Sequence, residues 1–272
     1  MRQVLLVFIL YLCSEMENKI SVVINTYNAE EHLAECLEAV KGFDEMVVCD
    51  MESTDHTVEI AQRYGARVVT FPKAGHKSAE PARTFAIQSA TSPWVLVVDS
   101  DEIITPQLRQ YLYRRIEDPD CPAGLYIARL NKAIGQFTRD WSHDYQLRFF
   151  VREGTVWPPY VHTFPQVPGR TERAPASYKM LHLADVTMRQ WVTKMNDYTD
   201  NEVAKKAQRG FGVTALMGRP LWAFLRSFLF QGGFRNGRRG FLQAVQSAMY
   251  QQVLISKIME KELCTKEKTD KG

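Results

Sequence analysis

The sequence predicts an α/β fold: a mostly parallel sheet flanked by helices, with a helical extension at the C-terminus. Two observations carry this. Short apolar runs alternate with stretches of helical period through the first part of the chain. Each of the main runs also ends in a polar cluster: Thr26-Tyr27-Asn28, Asp50 to Asp55, and Asp99-Ser100-Asp101. In parallel sheets, ligands sit at the carboxyl ends of the strands, so these clusters mark one candidate site.

The elements follow in order. Ile20 to Ile24 reads as the first strand. Residues 29–40 place Leu33, Cys36, Leu37 and Val40 on one helix face. Residues 45–49 form a second strand ending at Asp50. Ser53 or Thr54 is expected to cap a helix over 55–64, which Gly65 ends. A short strand covers 66–70, a helix 80–90, and a fourth strand 94–98. Pro106 opens a further helix after Thr105. Beyond about residue 120 the pattern changes. Strands are expected at 125–129 and 145–150, and 153–180, rich in Pro, Gly and aromatics, reads as a long ordered loop. From Val186 onward the chain reads as helical. It includes the apolar stretch 220–230, a basic Gly-rich turn over 232–240 and a helix over 241–260.

The domain reading has four parts. Residues 1–17 are an N-terminal extension of the gene model or a weak anchor, since Val4 to Leu12 is too short to span a bilayer and Met16 offers an alternative start. Residues 18–185 form the main α/β domain, in two halves over 18–118 and 119–185. Residues 186–260 are the helical extension, and the charged tail 261–272 is expected to be disordered.

Composition bounds the function. The 272 residues are 45% hydrophobic and 24% charged, as in an ordinary globular protein. The net charge of +3 is unevenly spread. Residues 205–272 hold 13 Lys/Arg against 4 Asp/Glu, leaving the first 204 residues acidic. A basic tail on an acidic body suits an anionic surface. No sheet with interleaved basic and aromatic residues accompanies it, which argues against nucleic acid. The five cysteines are scattered without Cys-x-x-Cys spacing, which argues against a disulfide framework or a zinc site and fits a reducing compartment.

Asp99-Ser100-Asp101 carries the most chemistry. Two carboxylates at a strand end repel each other unless a positive charge lies between them. A divalent cation carrying a phosphorylated ligand meets that need, because hard cations share oxygen ligands with phosphates. Asp-x-Asp alone also describes a solvated helix-capping turn. No Gly-x-Gly-x-x-Gly follows the first strand and no Walker Lys-Ser/Thr occurs, so neither a dinucleotide-binding dehydrogenase nor a P-loop enzyme has its phosphate cradle. A metal on Asp101 with a cation such as Arg83 would neutralise a diphosphate instead.

Three segments, Val22 to Asn28, Val47 to Asp55 and Val97 to Glu102, resemble the family 2 glycosyltransferases in order and spacing. Tyr145 to Phe150 and the segment around Gly240 extend the likeness to the bacterial lipopolysaccharide-core β-glucosyltransferases, over about residues 18–255. The resemblance implies a GT-A fold and a metal-dependent inverting transfer of a hexose from a nucleotide-sugar, UDP-linked, to a cell-envelope glycolipid such as lipopolysaccharide core. It implies that Thr26 and Asp50 line the nucleobase pocket beside Tyr27 and Asn28, that Arg83 lies near the diphosphate, and that Asp99 and Ser100 face the donor. It implies Mg²⁺ or Mn²⁺ on Asp101, with Asp99 and His182 completing the site. Asp144 is the expected general base, with Asp140 and Glu153 as rivals. The chain departs from the family at Met51-Glu52, where a small residue and Gly are usual, and at Thr163, where the subgroup has an acidic residue. Another glycan acceptor and a non-catalytic nucleotide-sugar-binding protein stay open as alternatives, whereas a sugar-nucleotide pyrophosphorylase would want a glycine-rich basic first loop, which Asn25 to Glu30 is not. Trp141, Trp157 and Tyr160 are expected to pack rather than stack on sugar. A cytoplasmic location is expected, with residues 219–240 resting on the inner leaflet.

Overall fold

The structure is a computed structural model that describes residues 18–76, 78–139, 144–160, 163–206 and 211–269. The expectations for residues 1–17, Asp140, Trp141 and the Val161-His162 pair lie outside the described residues.

The chain folds as two compact units. One comprises Met1–Asn131 and His143–Leu183, the other Lys132–Ser142 and Ala184–Gly272. Residues 132–142, expected in the half over 119–185, thus group with the helical unit.

The first unit is built on a sheet whose strands lie in the order 67–70, 45–50, 20–26, 94–99, 144–151, 124–133, 179–182 and 102–104. Its parallel part comprises β1 (Ile20–Thr26), β2 (Glu45–Asp50), β3 (Arg67–Thr70) and β4 (Trp94–Asp99). The apolar runs of β1 and β4 are continuous because the sheet is covered on both faces. Val22, Ile24, Leu96 and Val98 pack on one face with Leu33, Leu37, Leu108 and Leu112. Val23, Val47, Val95 and Val97 pack on the other with Ala82, Ala86 and Ile87. The first face is covered by α1 (Glu30–Val40) and α4 (Pro106–Ile116), and the second by α3 (Glu80–Ser89).

Several local features differ from expectation. The second helix, α2, spans Thr57–Arg63 and takes its N-terminal bond from Asp55, whose Oδ1 accepts from the Thr57 N–H at 3.0 Å. Ser53 does not cap it; both its backbone N–H and its hydroxyl bond to Asp50. At Glu52, where the family has glycine, φ is +62°, so the turn keeps a left-handed backbone that costs a non-glycine residue about 1 kcal/mol. Glu52 also accepts a bond from the Lys73 N–H at 3.0 Å.

The mixed part of the sheet adds β5 (Glu102–Ile104), β6 (Gly124–Ala133), β8 (Asp144–Val151), β9 (Thr171–Arg173) and β10 (Lys179–His182). β9 and β10 fall in the stretch expected to be a loop.

In the second unit, β7 (Gln136–Phe137) folds back on the end of β6. Helices α5 (Met188–Lys206), α6 (Val213–Leu225) and α7 (Arg238–Thr269) follow. A tight turn over 232–240 lets the chain approach itself closely. A Cβ on Gly240 would lie 1.8 Å from the Gly233 carbonyl oxygen. Helix α7 runs on through 261–269, where disorder was expected. The stretch is rich in Lys and Glu, good helix formers, and has no Gly or Pro before its end.

Candidate functional site

Strand register gathers the predicted residues. Thr26 pairs with Asp50 across β1 and β2, and Asn25 with Asp99 across β1 and β4, so all four lie at one end of the sheet. The Thr26 hydroxyl donates to Asp50 Oδ1 at 3.0 Å, and Ser53 donates to the same carboxylate from its hydroxyl at 2.6 Å and its N–H at 2.9 Å. Asn28 braces this loop, its Oδ1 accepting from the Thr54 N–H at 2.8 Å. The Tyr27 ring is 45% exposed, with Lys73 Nζ 3.6 Å from its centroid.

Asp99 sits between two guanidiniums. Arg83 Nη2 donates to its Oδ1 at 3.0 Å, and Arg148 pairs with both of its oxygens. Burial pushes the Asp99 carboxyl up, but Arg148 and Arg83 outweigh it and hold the group far below the usual carboxylate range. Arg83 also stacks 4.5 Å from the Trp157 ring, and its buried Nε and Nη1 have no partner among the described residues. A cationic, partly unpartnered donor at a strand end is suited to an anionic ligand.

Glu102, fully buried, lies beneath. Its oxygens accept from the Asp99 N–H at 2.9 Å and from Arg129 at 3.2 Å, and Arg148 lies 3.4 Å away. Burial raises its pKa above that of an ordinary glutamate. Sequence reasoning misses Glu102, Arg129 and Arg148 as members of this network. The available signal is Arg148 itself, a charge set between Leu147 and the Phe149-Phe150 pair, which calls for a buried carboxylate nearby.

Asp101 points elsewhere. Its Oδ2 lies 3.3 Å from His182 Nε2, and the Leu183 N–H donates to its carbonyl at 2.8 Å. Ser100 occupies the turn between the two aspartates and is half-buried. The β10 register sets His182 opposite Glu102 on one side and Asn131 on the other. His182 Nδ1 lies 3.0 Å from Asn131 Oδ1.

Asp144 opens β8 opposite Arg129. Its Oδ2 accepts from Arg129 at 2.7 and 2.9 Å and from Asn131 Nδ2 at 3.2 Å, and its Oδ1 accepts from Gln146 at 2.6 Å. Burial pushes this carboxyl up, but Arg129 and the bonds from Asn131, Arg129 and Gln146 outweigh it, so its pKa lies below the ordinary value. The rival base Glu153 is exposed in a turn. The Thr163 hydroxyl donates to the carbonyls of Tyr160 and Pro158 at 2.7 and 3.2 Å. Trp157 is buried against Arg83, while Tyr160 is 71% exposed.

Residues 21–170 match the family described as glycosyl transferase family 2. An uncharacterized glycosyltransferase of Rickettsia typhi is 26% identical over 264 residues, covering 89% of this chain and 87% of that protein. The lipopolysaccharide core biosynthesis glycosyltransferase LpsC of Rhizobium meliloti is 25% identical over 260 residues, covering 89% of this chain and 92% of that protein. A crystal structure of S. aureus TarS 1–349 in complex with UDP aligns with a TM-score of 0.48 at 16% identity, covering 91% and 92% of the two chains. Fold and family match define a sugar-transferring enzyme. The chain belongs to glycosyltransferase family 2 and has the α/β GT-A architecture.

The residues present fit a divalent cation. A carboxylate and an imidazole, each half-buried, face each other across 3.3 Å at the mouth of the sheet. Among the described residues no group of three His, Cys, Asp or Glu is arranged to hold a metal, so diphosphate oxygens and water would supply the remaining ligands.

Proposed function

We propose that this glycosyltransferase moves a hexose from a UDP-sugar to a cell-envelope glycolipid, such as lipopolysaccharide core, with inversion at the anomeric carbon. The observation that carries the reading is the strand-end constellation of Asp50, Asp99, Asp101 and Arg83, together with family membership. Asp50, held by Thr26 and Ser53, accepts from the uracil ring, and the exposed Tyr27 lies against it. Asn28 keeps that loop in place, and Ser100 lines the donor side of the turn. Asp99 holds Arg83 and Arg148 in position, and the unpartnered Arg83 nitrogens donate to the diphosphate. Asp101 and His182 hold Mg²⁺ or Mn²⁺. When bound, this cation neutralises the charge that builds on the departing diphosphate.

The acceptor oxygen attacks the anomeric carbon, and the carbon–phosphate-oxygen bond breaks with its electron pair leaving on UDP. Asp144 Oδ1, which among the described residues accepts only from Gln146, takes the acceptor's proton. Its lowered proton affinity makes it a weak base, so the reaction leans on stabilisation of the leaving group.

The acceptor class is supported by the name of the Rhizobium meliloti relative. Residues 219–240 support docking on the inner leaflet. Leu221, Trp222 and Phe230 are 60%, 57% and 64% exposed, beside exposed Arg226 and Arg238. Among the described residues no helix is long and apolar enough to cross a membrane.

The first test is thermal stabilisation by UDP, GDP and ADP, each with and without Mn²⁺, in wild type and Asp101→Ala. A UDP shift that requires metal and is lost in the variant supports the reading. Absence of a metal-linked shift with every nucleotide overturns it.

A further inference from the structure

Asn131 and Asp144 form a hydrogen-bond chain to His182 whose direction is fixed by chemistry. An ionised carboxylate can only accept, so the Asn131 group facing Asp144 Oδ2 at 3.2 Å is its NH₂. The other end of that amide is then its carbonyl oxygen, which can also only accept. It lies 3.0 Å from His182 Nδ1, so Nδ1 carries the proton. In the neutral ring this leaves Nε2 bare, 3.3 Å from Asp101 Oδ2. In that form Nε2 and Asp101 Oδ2 offer two lone pairs 3.3 Å apart, an arrangement that a divalent cation would bring together.

We infer that Asn131, oriented by Asp144, is a positioning residue that holds His182 in its Nδ1–H form, so that Nε2 and Asp101 together make a two-donor seat for the divalent cation. This rests on the metal assignment above and deepens it. Backbone register supports the chain, since His182 pairs with Asn131 across β10 and β6 and the neighbouring pair Arg129–Asp144 joins β6 to β8. Arg129 adds its own bonds to Asp144 Oδ2, so the carboxylate at the head of the chain is fixed independently of Asn131. The two oxygens of Asp144 thereby serve different ends: Oδ2 orients the metal ligand and Oδ1 meets the acceptor.

The test has two readouts besides turnover. The first is the tautomer of His182, read from the ¹⁵N shifts of its ring in histidine-labelled full-length protein and assigned by loss of the signal in His182→Ala. The second is Mn²⁺ affinity measured by calorimetry in the presence of UDP.

Wild type is expected to show the Nδ1–H form. Asn131→Leu should shift the ring toward Nε2–H and weaken Mn²⁺ binding about 10- to 100-fold, the usual effect of losing a partner behind a ligating histidine. Asn131→Ala, a smaller truncation of the same amide, should act in the same direction and guards against misfolding in the first variant. If both variants keep the wild-type tautomer and affinity while His182→Ala loses Mn²⁺, the positioning role falls and the metal seat stands. If His182→Ala binds Mn²⁺ like wild type, the metal seat itself falls and the inference with it.

Discussion

Arg148 closes on both oxygens of Asp99, and this pair ties the β4 strand end to the middle of β8. Arg83 shares the same carboxylate from the other side, so one anion holds two guanidiniums. Removing it leaves two buried cations facing each other. Asp99→Asn should therefore destabilise the protein by about 3 kcal/mol or more, read as a shift in the urea midpoint at constant slope.

The pH dependence of that difference has a definite sign. The folded Asp99 carboxyl lies below its unfolded value, so its stabilisation is full above the ordinary carboxylate pKa and is lost only as pH falls through the lower folded value. The stability gap between wild type and Asp99→Asn should be the same at about pH 7 and about pH 5, both above the ordinary aspartate pKa. A gap that closes between those two values would contradict the pairing.

Arg83 uses a planar fork and a flat face at once, donating to Asp99 while stacking on Trp157. Lysine keeps the charge but neither feature. Arg83→Lys should raise KM for the nucleotide-sugar about tenfold, with a smaller effect on kcat, measured under initial-rate conditions.

The turn over 232–240 has no room for a side chain at Gly240. Gly240→Ala must push the backbone apart at Gly233, at a cost of about 1–3 kcal/mol. The loss should appear as faster amide exchange in α6 and α7 while the strands of the first unit keep their protection.

Membrane docking should depend on both charge and rings. Anionic vesicles should co-sediment the full-length protein at low salt and release it as salt rises, since each basic residue near the surface contributes about 1 kcal/mol. Trp222→Ser with Phe230→Ser should weaken binding even at low salt. Equal binding by wild type and this double variant would remove the ring contribution.

The parts of the fold legible in the sequence were those buried on both sides. β1, β2 and β4 are apolar at successive positions because helices cover each face, and a run such as Trp94 to Val98 has no common reading but a buried strand. β5, β9 and β10 were not legible. Each has three or four residues, several of them polar, and exists because a neighbour offers a pairing edge. The carboxylates of the site stood out as a motif, whereas Glu102, Arg129 and Arg148 did not. Their roles arise from register between β5, β6, β8 and β10, which no local pattern encodes.

The segment 132–139 belongs with residues that follow it by about a hundred positions. The Arg139 N–H bonds Asn236 Oδ1, and Arg239 bonds the Ile134 carbonyl, across separations of 97 and 105 residues. On the ribosome, this segment emerges long before its partners are synthesised. The nascent chain carries it with only its own strand pairing and Asp185 as partners until the start of α7 has left the exit tunnel, so the second unit can close only near the end of translation. A stop codon anywhere before Asn236 would therefore leave 132–139 without these two bonds, however complete the strands of the first unit already are.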